Sequence, residues 1–171
     1  MTHFLFLLRH AKSDWKAEVA SDFERPLTDR GLMDASRMSD WLSQQNNLPT
    51  MIVSSPALRA YQTALIFAHV LQVASGDINF DKRIYEASVN TFLKIIKQFP
   101  ESNQSILMIG HNPGMDSILQ SLCKMAKPRA DGKLMTTTAV AKISVRGPWQ
   151  DISAKNCELN GIFRPKELFK C

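Results

Sequence analysis

Apolar and polar positions alternate along this chain in blocks that fit strands and helices in turn. Phe4 to Leu8 is a continuous apolar run that leads directly into Arg9 and His10. A run without helical periodicity predicts a strand buried on both faces, as in a parallel sheet. A polar loop follows, from Ala11 to about Leu27. Thr28 then has the character of a helix N-cap, with Asp29 in the first turn where the dipole favours negative charge. That helix is expected to reach about Gln45 and to bury Leu32, Ala35, Met38, Trp41 and Leu42, with Asn46–Pro49 ending it. Thr50–Ser54 predicts a second strand. Ser55 and Pro56 fit the N-cap and first position of the next helix. Ala57, Ala60, Tyr61, Ala64, Phe67, Ala68 and Leu71 fall on one face of it.

The same alternation continues to the end. A turn at Ser75–Asp77 leads to a short strand over Ile78–Ile84. After a loop at Tyr85–Ser88, a helix runs from Val89 to Phe99 and stops at Pro100. Ser105–Ile109 is a further apolar strand, ending in Gly110-His111-Asn112. Pro113 opens a helix to about Met125, Lys127–Lys133 is a basic loop, and Thr138–Val145 and Cys157–Phe163 are two late strands joined through Gly147–Pro148. Strands alternating with helices, without internal repeats, predict an α/β fold with a mostly parallel central sheet and helices on both sides. At 171 residues the chain is expected to form one domain over 1–171.

Composition narrows the function classes only a little. The net charge of +5 favours anionic partners, but no Lys/Arg-rich run is interleaved with aromatics, so no nucleic-acid partner is expected. Cys123, Cys157 and Cys171 are odd in number and widely spaced, which supports neither a disulfide framework nor a zinc site. That cysteine usage fits a reducing cytoplasm. Met1–Leu8 is too short for a signal sequence and is closed by Arg9. No apolar run is long enough to span a bilayer, so no membrane association is expected, and Cys171 does not sit in a prenylation box. His3, His10, His69 and His111 lack metal-ligand spacing with carboxylates, so neither metal nor cofactor is expected.

The candidate chemistry lies at the strand ends. In open α/β sheets ligands bind beyond the carboxyl ends of the strands. Arg9, His10 and His111 belong there, and Arg59 lies in the opening turn of a helix, where the macrodipole disfavours a cation unless an anion sits beside it. Two arginines and two histidines on one sheet edge form a pocket for a dianionic tetrahedral group. Phosphoryl transfer needs mainly positioning and charge stabilisation, which arginine supplies bidentately, and histidine can serve as the nucleophile.

RHAKS at Arg9–Ser13, RPLTDRG at Arg25–Gly31, SSPALRAYQTA at Ser54–Ala64, YEAS at Tyr85–Ser88 and GHNPG at Gly110–Gly114 together resemble the histidine phosphatase superfamily. Within it the match is to the small branch of phosphohistidine phosphatases of the SixA type, which the C-terminal FRPKEL also resembles. The resemblance implies a phosphoglycerate mutase-like three-layer α/β/α sandwich. It implies that His10 attacks phosphorus and is transiently phosphorylated. Arg9, Arg59 and His111 would then clamp the phosphoryl oxygens, with Ser13 and the backbone at Asn112 as lesser donors. Glu86 matches the position of the proton donor. Arg25 either lines the pocket entrance or braces the loop on Pro26. Ala11 replaces the glycine that many relatives carry, and Lys16 stands where mutase-type relatives have an asparagine.

The short chain has no insertion long enough to make a lid, and an open pocket suits a side chain presented by a folded partner. The expectation is therefore a phosphatase acting on protein phosphohistidine, as a monomer or weak dimer, with small phosphate esters as poor substrates. The alternatives are a small-molecule phosphomonoesterase or mutase and a phosphate-binding module without turnover.

Overall fold

In the computed structural model, which describes residues 1–169, the apolar run near the amino terminus lies at the centre of a sheet. It forms β1 (Thr2–Arg9), followed along the chain by β2 (Met51–Ser54), β3 (Ile78–Phe80), β4 (Ser105–Gly110), β5 (Val140–Arg146) and β6 (Cys157–Phe163). In space the order is β3-β2-β4-β1-β5-β6. The first four are mutually parallel, and β5 and β6 add antiparallel on the far side. The sheet is therefore mostly parallel, as its apolar strands predict.

Alternate side chains of each strand supply two separate cores, because strand periodicity sends neighbours to opposite faces. Leu5, Leu7, Val53, Ile106 and Met108 pack under α3 (Val89–Ile96) and α4 (Gly114–Leu122). Phe6, Leu8, Ile52, Leu107 and Ile109 pack under α1 (Asp29–Ser43) and α2 (Leu58–Leu71). A sheet buried on both faces by helices is the three-layer sandwich expected from the sequence. A short α5 (Pro165–Leu168) closes the described chain. Among the described residues no helix is long and apolar enough to cross a membrane.

Several boundaries differ from expectation for local reasons. The second helix begins at Leu58, not Pro56, because the Ser55 N–H still donates to Ile109 in the sheet (3.1 Å) and its hydroxyl is engaged elsewhere. The strand expected over Ile78–Ile84 stops at Phe80, where the Asp81 carboxylate accepts from Arg83 N–H (2.9 Å) and caps a tight helical turn at Lys82–Ile84. Leu32 is 42% exposed, since the buried line of α1 runs through Gly31, Ala35, Met38 and Leu42. Tyr61 is 39% exposed, its ring against Phe80. The third helix ends at Ile96, and Gln98 and Phe99 close a tighter turn before Pro100. The fourth spans Gly114–Leu122 with Pro113 as its cap. Cys123 and Cys157 are free thiols, and Cys171 lies outside the described residues.

Candidate active site

Sheet register assembles the site. Arg9 pairs with Gly110 in the β1–β4 ladder and Ser54 with Ile109 in the β2–β4 ladder, so the next residues, His10, His111 and Ser55, emerge together at one edge. The His10 and His111 ring centroids are 5.0 Å apart. Both residues are buried, at 7% and 8% exposure.

Their hydrogen bonds differ in kind. His10 Nδ1 lies 2.7 Å from the Ala11 carbonyl. A carbonyl only accepts, so Nδ1 carries the proton and Nε2 keeps its lone pair. Arg59 Nε–H donates to that Nε2 at 3.3 Å. His111 Nε2 lies 2.8 Å from Ser55 Oγ, which already accepts from Ala57 N–H (3.3 Å). The hydroxyl therefore gives its own proton to Nε2, since the reverse would leave that proton without an acceptor. The imidazole proton then sits on Nδ1, which is buried without a protein partner, as is Arg9 Nε. Burial, followed by the charge of His111, pushes the His10 pKa down to about 3, and the Arg59 and Arg9 charges add to this. Burial and then Arg59 push His111 down to about 4. Both rings are neutral at pH 7.

The loop after His10 is held from two sides. Ala11, fully buried, donates its N–H to Thr63 Oγ1 (3.1 Å) on α2. The Lys12 carbonyl accepts from Thr28 N–H (2.9 Å) and from its hydroxyl (3.2 Å), while Thr28 caps α1. A Cβ on Gly31 would come within 2.1 Å of that carbonyl, so the glycine of RPLTDRG is required by close backbone approach. Arg25 is 7% exposed, and of the two places its position allowed it takes the one at the cavity. It lines the pocket, donates to the Ser13 hydroxyl and stacks under Trp15 (3.6 Å).

Asp22 and Trp15 belong to the site without a local motif that would have singled them out, and Ser55 and Tyr85 lie within the SSPALRAYQTA and YEAS motifs, which assigned them no site role. Asp22 binds Arg25 Nη2 (2.7 Å), Arg59 Nη2 (2.8 Å) and the Tyr85 hydroxyl (3.0 Å), and its carbonyl accepts from Arg59 Nη1 (2.6 Å). Burial would raise its carboxyl pKa, but the Arg25 and Tyr85 hydrogen bonds and the Arg59 charge outweigh that and hold it at about 2. The anion that makes a cation tolerable at the start of α2 is thus an internal carboxylate. The only hint in the sequence is an acidic residue three positions before Arg25.

Arg9, His10, Ser13, Arg25, Arg59, His111 and Asn112 line one cavity of about 250 Å³. Four cations, counting Lys12, face it against the single carboxylate of Asp22. Arg9 donates to the Met135 carbonyl (3.0 Å), and burial lowers its pKa while Asp116 opposes the shift. The Asn112 side chain is committed to the Met135 carbonyl (3.2 Å) and to Asp116 N–H (3.3 Å), so its side chain serves the fold. Glu86 is exposed and lines a neighbouring cavity of about 370 Å³ shared with Tyr85 and His111. Its φ of +60° is costly for a side chain with a Cβ and is found where the surroundings enforce it. Lys16 is exposed and lines neither cavity. Among the described residues no group of histidine, cysteine or acidic side chains is arranged to hold a metal ion.

The model of the histidine phosphatase superfamily (branch 1) matches residues 5–94, more than half of the chain. The protein belongs to the histidine phosphatase superfamily. Similar histidine phosphatases include the phosphohistidine phosphatase SixA of Escherichia coli, 28% identical over 152 residues that cover 82% of this chain and 84% of that protein. A protein histidine phosphatase SixA solved with tungstate superposes with a TM-score of 0.81 at 25% identity, covering 97% of this chain and 99% of the other. An uncharacterised protein of Mycobacterium tuberculosis is 28% identical over 166 residues, covering 93% of this chain and all of that one. The match to the superfamily model ends before His111, so the pairing of the two histidines is an observation of the tertiary structure.

Proposed function

We propose that this chain is a single histidine phosphatase domain that removes the phosphoryl group from phosphohistidine in a protein, with His10 as nucleophile. The observation that carries the reading is the His10 imidazole: Nδ1–H is tied to a backbone carbonyl, and an unprotonated Nε2 lies at a cavity lined by four cations. An unprotonated nitrogen, released by Arg59 as the guanidinium turns to the phosphoryl oxygens, and fixed positive charge are what in-line phosphoryl transfer requires. In the first step Nε2 bonds to phosphorus as the P–N bond to the substrate imidazole breaks, and Glu86 gives the leaving nitrogen a proton. In the second, water attacks phosphorus, the P–Nε2 bond breaks, phosphate leaves and the proton returns to Glu86. Arg9, Arg59 and His111 hold the phosphoryl oxygens, with Ser13, Arg25 and the backbone at Asn112 around them. Asp22, ionised at neutral pH, positions Arg25 and Arg59.

A protein substrate fits a site whose rim carries Trp15 at 75% exposure. The cysteine usage fits a cytoplasmic setting. The test follows phosphate release from a histidine-phosphorylated protein domain, p-nitrophenyl phosphate and 3-phosphoglycerate. Rapid release from the phosphoprotein, at least about 1000-fold slower with His10→Ala, is expected. Glu86→Gln should slow the esters more than the phosphoramidate, because a P–N leaving group depends less on an acid of the enzyme. Fast ester turnover without preference would instead support a broad phosphomonoesterase, and binding without release would support a phosphate-binding module.

A further inference from the structure

Two sequence features remain outside the phosphoryl site: the basic loop at Lys127–Lys133 and the FRPKEL segment near the carboxyl end. The structure brings them together. Arg164 is 7% exposed and donates twice to the Leu134 carbonyl, from Nε (3.0 Å) and Nη2 (2.7 Å). Its Nη1 holds Glu167 (3.2 Å), which also pairs with Arg129 (3.3 Å). Arg129 and Lys133 close a backbone-bonded turn with Gly132 at φ +77°. The basic loop is therefore pinned to α5, and the two segments enclose a cleft of about 300 Å³.

Six cations line that cleft, Arg9, Lys12, Arg30, Arg129, Lys133 and Lys166, against the carboxylates of Asp34 and Asp131. Arg9, Lys12 and Thr137 line the phosphoryl cavity too, so the cleft opens beside it. Arg30 pairs with Asp34 (3.6 Å), and Arg129 with Asp131 (3.7 Å) as well as Glu167. Lys12, Lys133 and Lys166 are exposed and have no carboxylate within ion-pair distance among the described residues.

We infer that this cleft seats acidic side chains that flank the phosphohistidine on a protein substrate. The inference rests on the reading of a protein substrate given above and deepens it. A second phosphate on a small molecule is best gripped by a free arginine fork, but Arg30 already faces Asp34 (3.6 Å) and Arg129 faces Asp131 (3.7 Å) and Glu167 (3.3 Å), so the charge of each guanidinium is partly offset by a carboxylate. Apart from Arg9, which the cleft shares with the neighbouring cavity, what remains without a carboxylate is a set of hydrated lysine point charges on flexible stems, which attract several spread carboxylates and steer encounter. These charges lie along one approach to His10, so they also set the direction from which the partner's acidic face arrives.

The test compares two peptides, each with one phosphohistidine, flanked in one by glutamates and in the other by glutamines. Phosphoramidate serves as the minimal substrate. Wild type should favour the glutamate peptide in kcat/KM by about tenfold at low salt, with the advantage lost as salt screens it. The Lys133→Glu, Lys166→Glu variant should lose that preference while phosphoramidate turnover stays within about twofold. Equal preference in wild type and variant would overturn the cleft but leave the substrate class standing. Turnover of phosphoramidate by wild type with neither peptide hydrolysed would overturn the protein-substrate reading itself. A variant loss confined to bisphosphorylated small molecules would replace the inference with a second-phosphate subsite.

Discussion

The ends of β1 and β4 carry the same residue type in the same setting, yet they are wired differently. Each strand delivers a buried histidine one residue past the ladder, and the two rings touch the same cavity. His10 donates to its neighbour's carbonyl and offers a lone pair toward Arg59. His111 Nε2 accepts a hydrogen bond from the Ser55 hydroxyl and keeps an unpartnered Nδ1–H. Under the proposed mechanism the first ring attacks and the second donates. Burial makes both neutral, so the difference between the rings comes from their hydrogen-bond partners, the Ala11 carbonyl at one and the Ser55 hydroxyl at the other, not from charge.

That contrast can be broken at either ring. The largest effect expected after removal of His10 is from His111→Ala, about 100- to 1000-fold in kcat, the usual cost of losing one donor to a developing anion. A phosphoenzyme should still be trappable in that variant by acid-sensitive labelling of His10, whereas His10→Ala should give none. Equal loss of label in both would mean that the two rings do not divide the roles.

Acid stability sharpens the comparison next. Folded pKa values of about 3 and about 4 lie below the ordinary 6.5 of an unfolded histidine, so the unfolded chain binds protons first as pH falls. Stability from the two neutral rings is fully present above pH 6.5 and is lost as pH falls towards 4 and 3. The expected loss between pH 7 and pH 5 is on the order of 2 kcal/mol per histidine. Urea midpoints of wild type should fall over that range. Those of each single His→Ala variant should fall less, and a parallel slope would mean that burial does not suppress protonation of the ring.

The smallest effect is expected at Ser55. Ser55→Ala removes the acceptor of Ala57 N–H and the donor to His111 Nε2, at a stability cost of about 1–3 kcal/mol. It should reduce kcat by about tenfold and leave the phosphoenzyme at His10 intact. Rescue of kcat by Ser55→Thr would separate the hydroxyl's hydrogen bond from a packing loss.

Much of this site could be read from the chain because it is local. Strand runs ending in Arg9-His10 and in Gly110-His111, the Thr28 cap and the FRPKEL and RPLTDRG segments are short-range patterns with direct physical meaning. The early end of β3 turns on a local choice, the Asp81 carboxylate taking the Arg83 N–H, whereas the helix start at Leu58 was not legible because it depends on the Ser55 N–H bonding Ile109 across the sheet. Asp22 escaped for the same reason. It carries no local signature, and its partners Arg59 and Tyr85 lie 37 and 63 positions away.

The sequence alone determined the α/β alternation, the two buried histidines' places at strand ends, the Thr28 cap and the basic character of the pocket between them. These follow from side-chain period, helix capping and charge, each of which acts over a few residues. Only the tertiary structure decided that β1 and β4 are neighbours in a register that sets the rings 5.0 Å apart. It alone assigned Ser55 to one ring and Ala11 to the other, and let Asp22 gather two arginines. Register and pairing depend on the packing of the whole sheet and its helices, which no short stretch of chain contains.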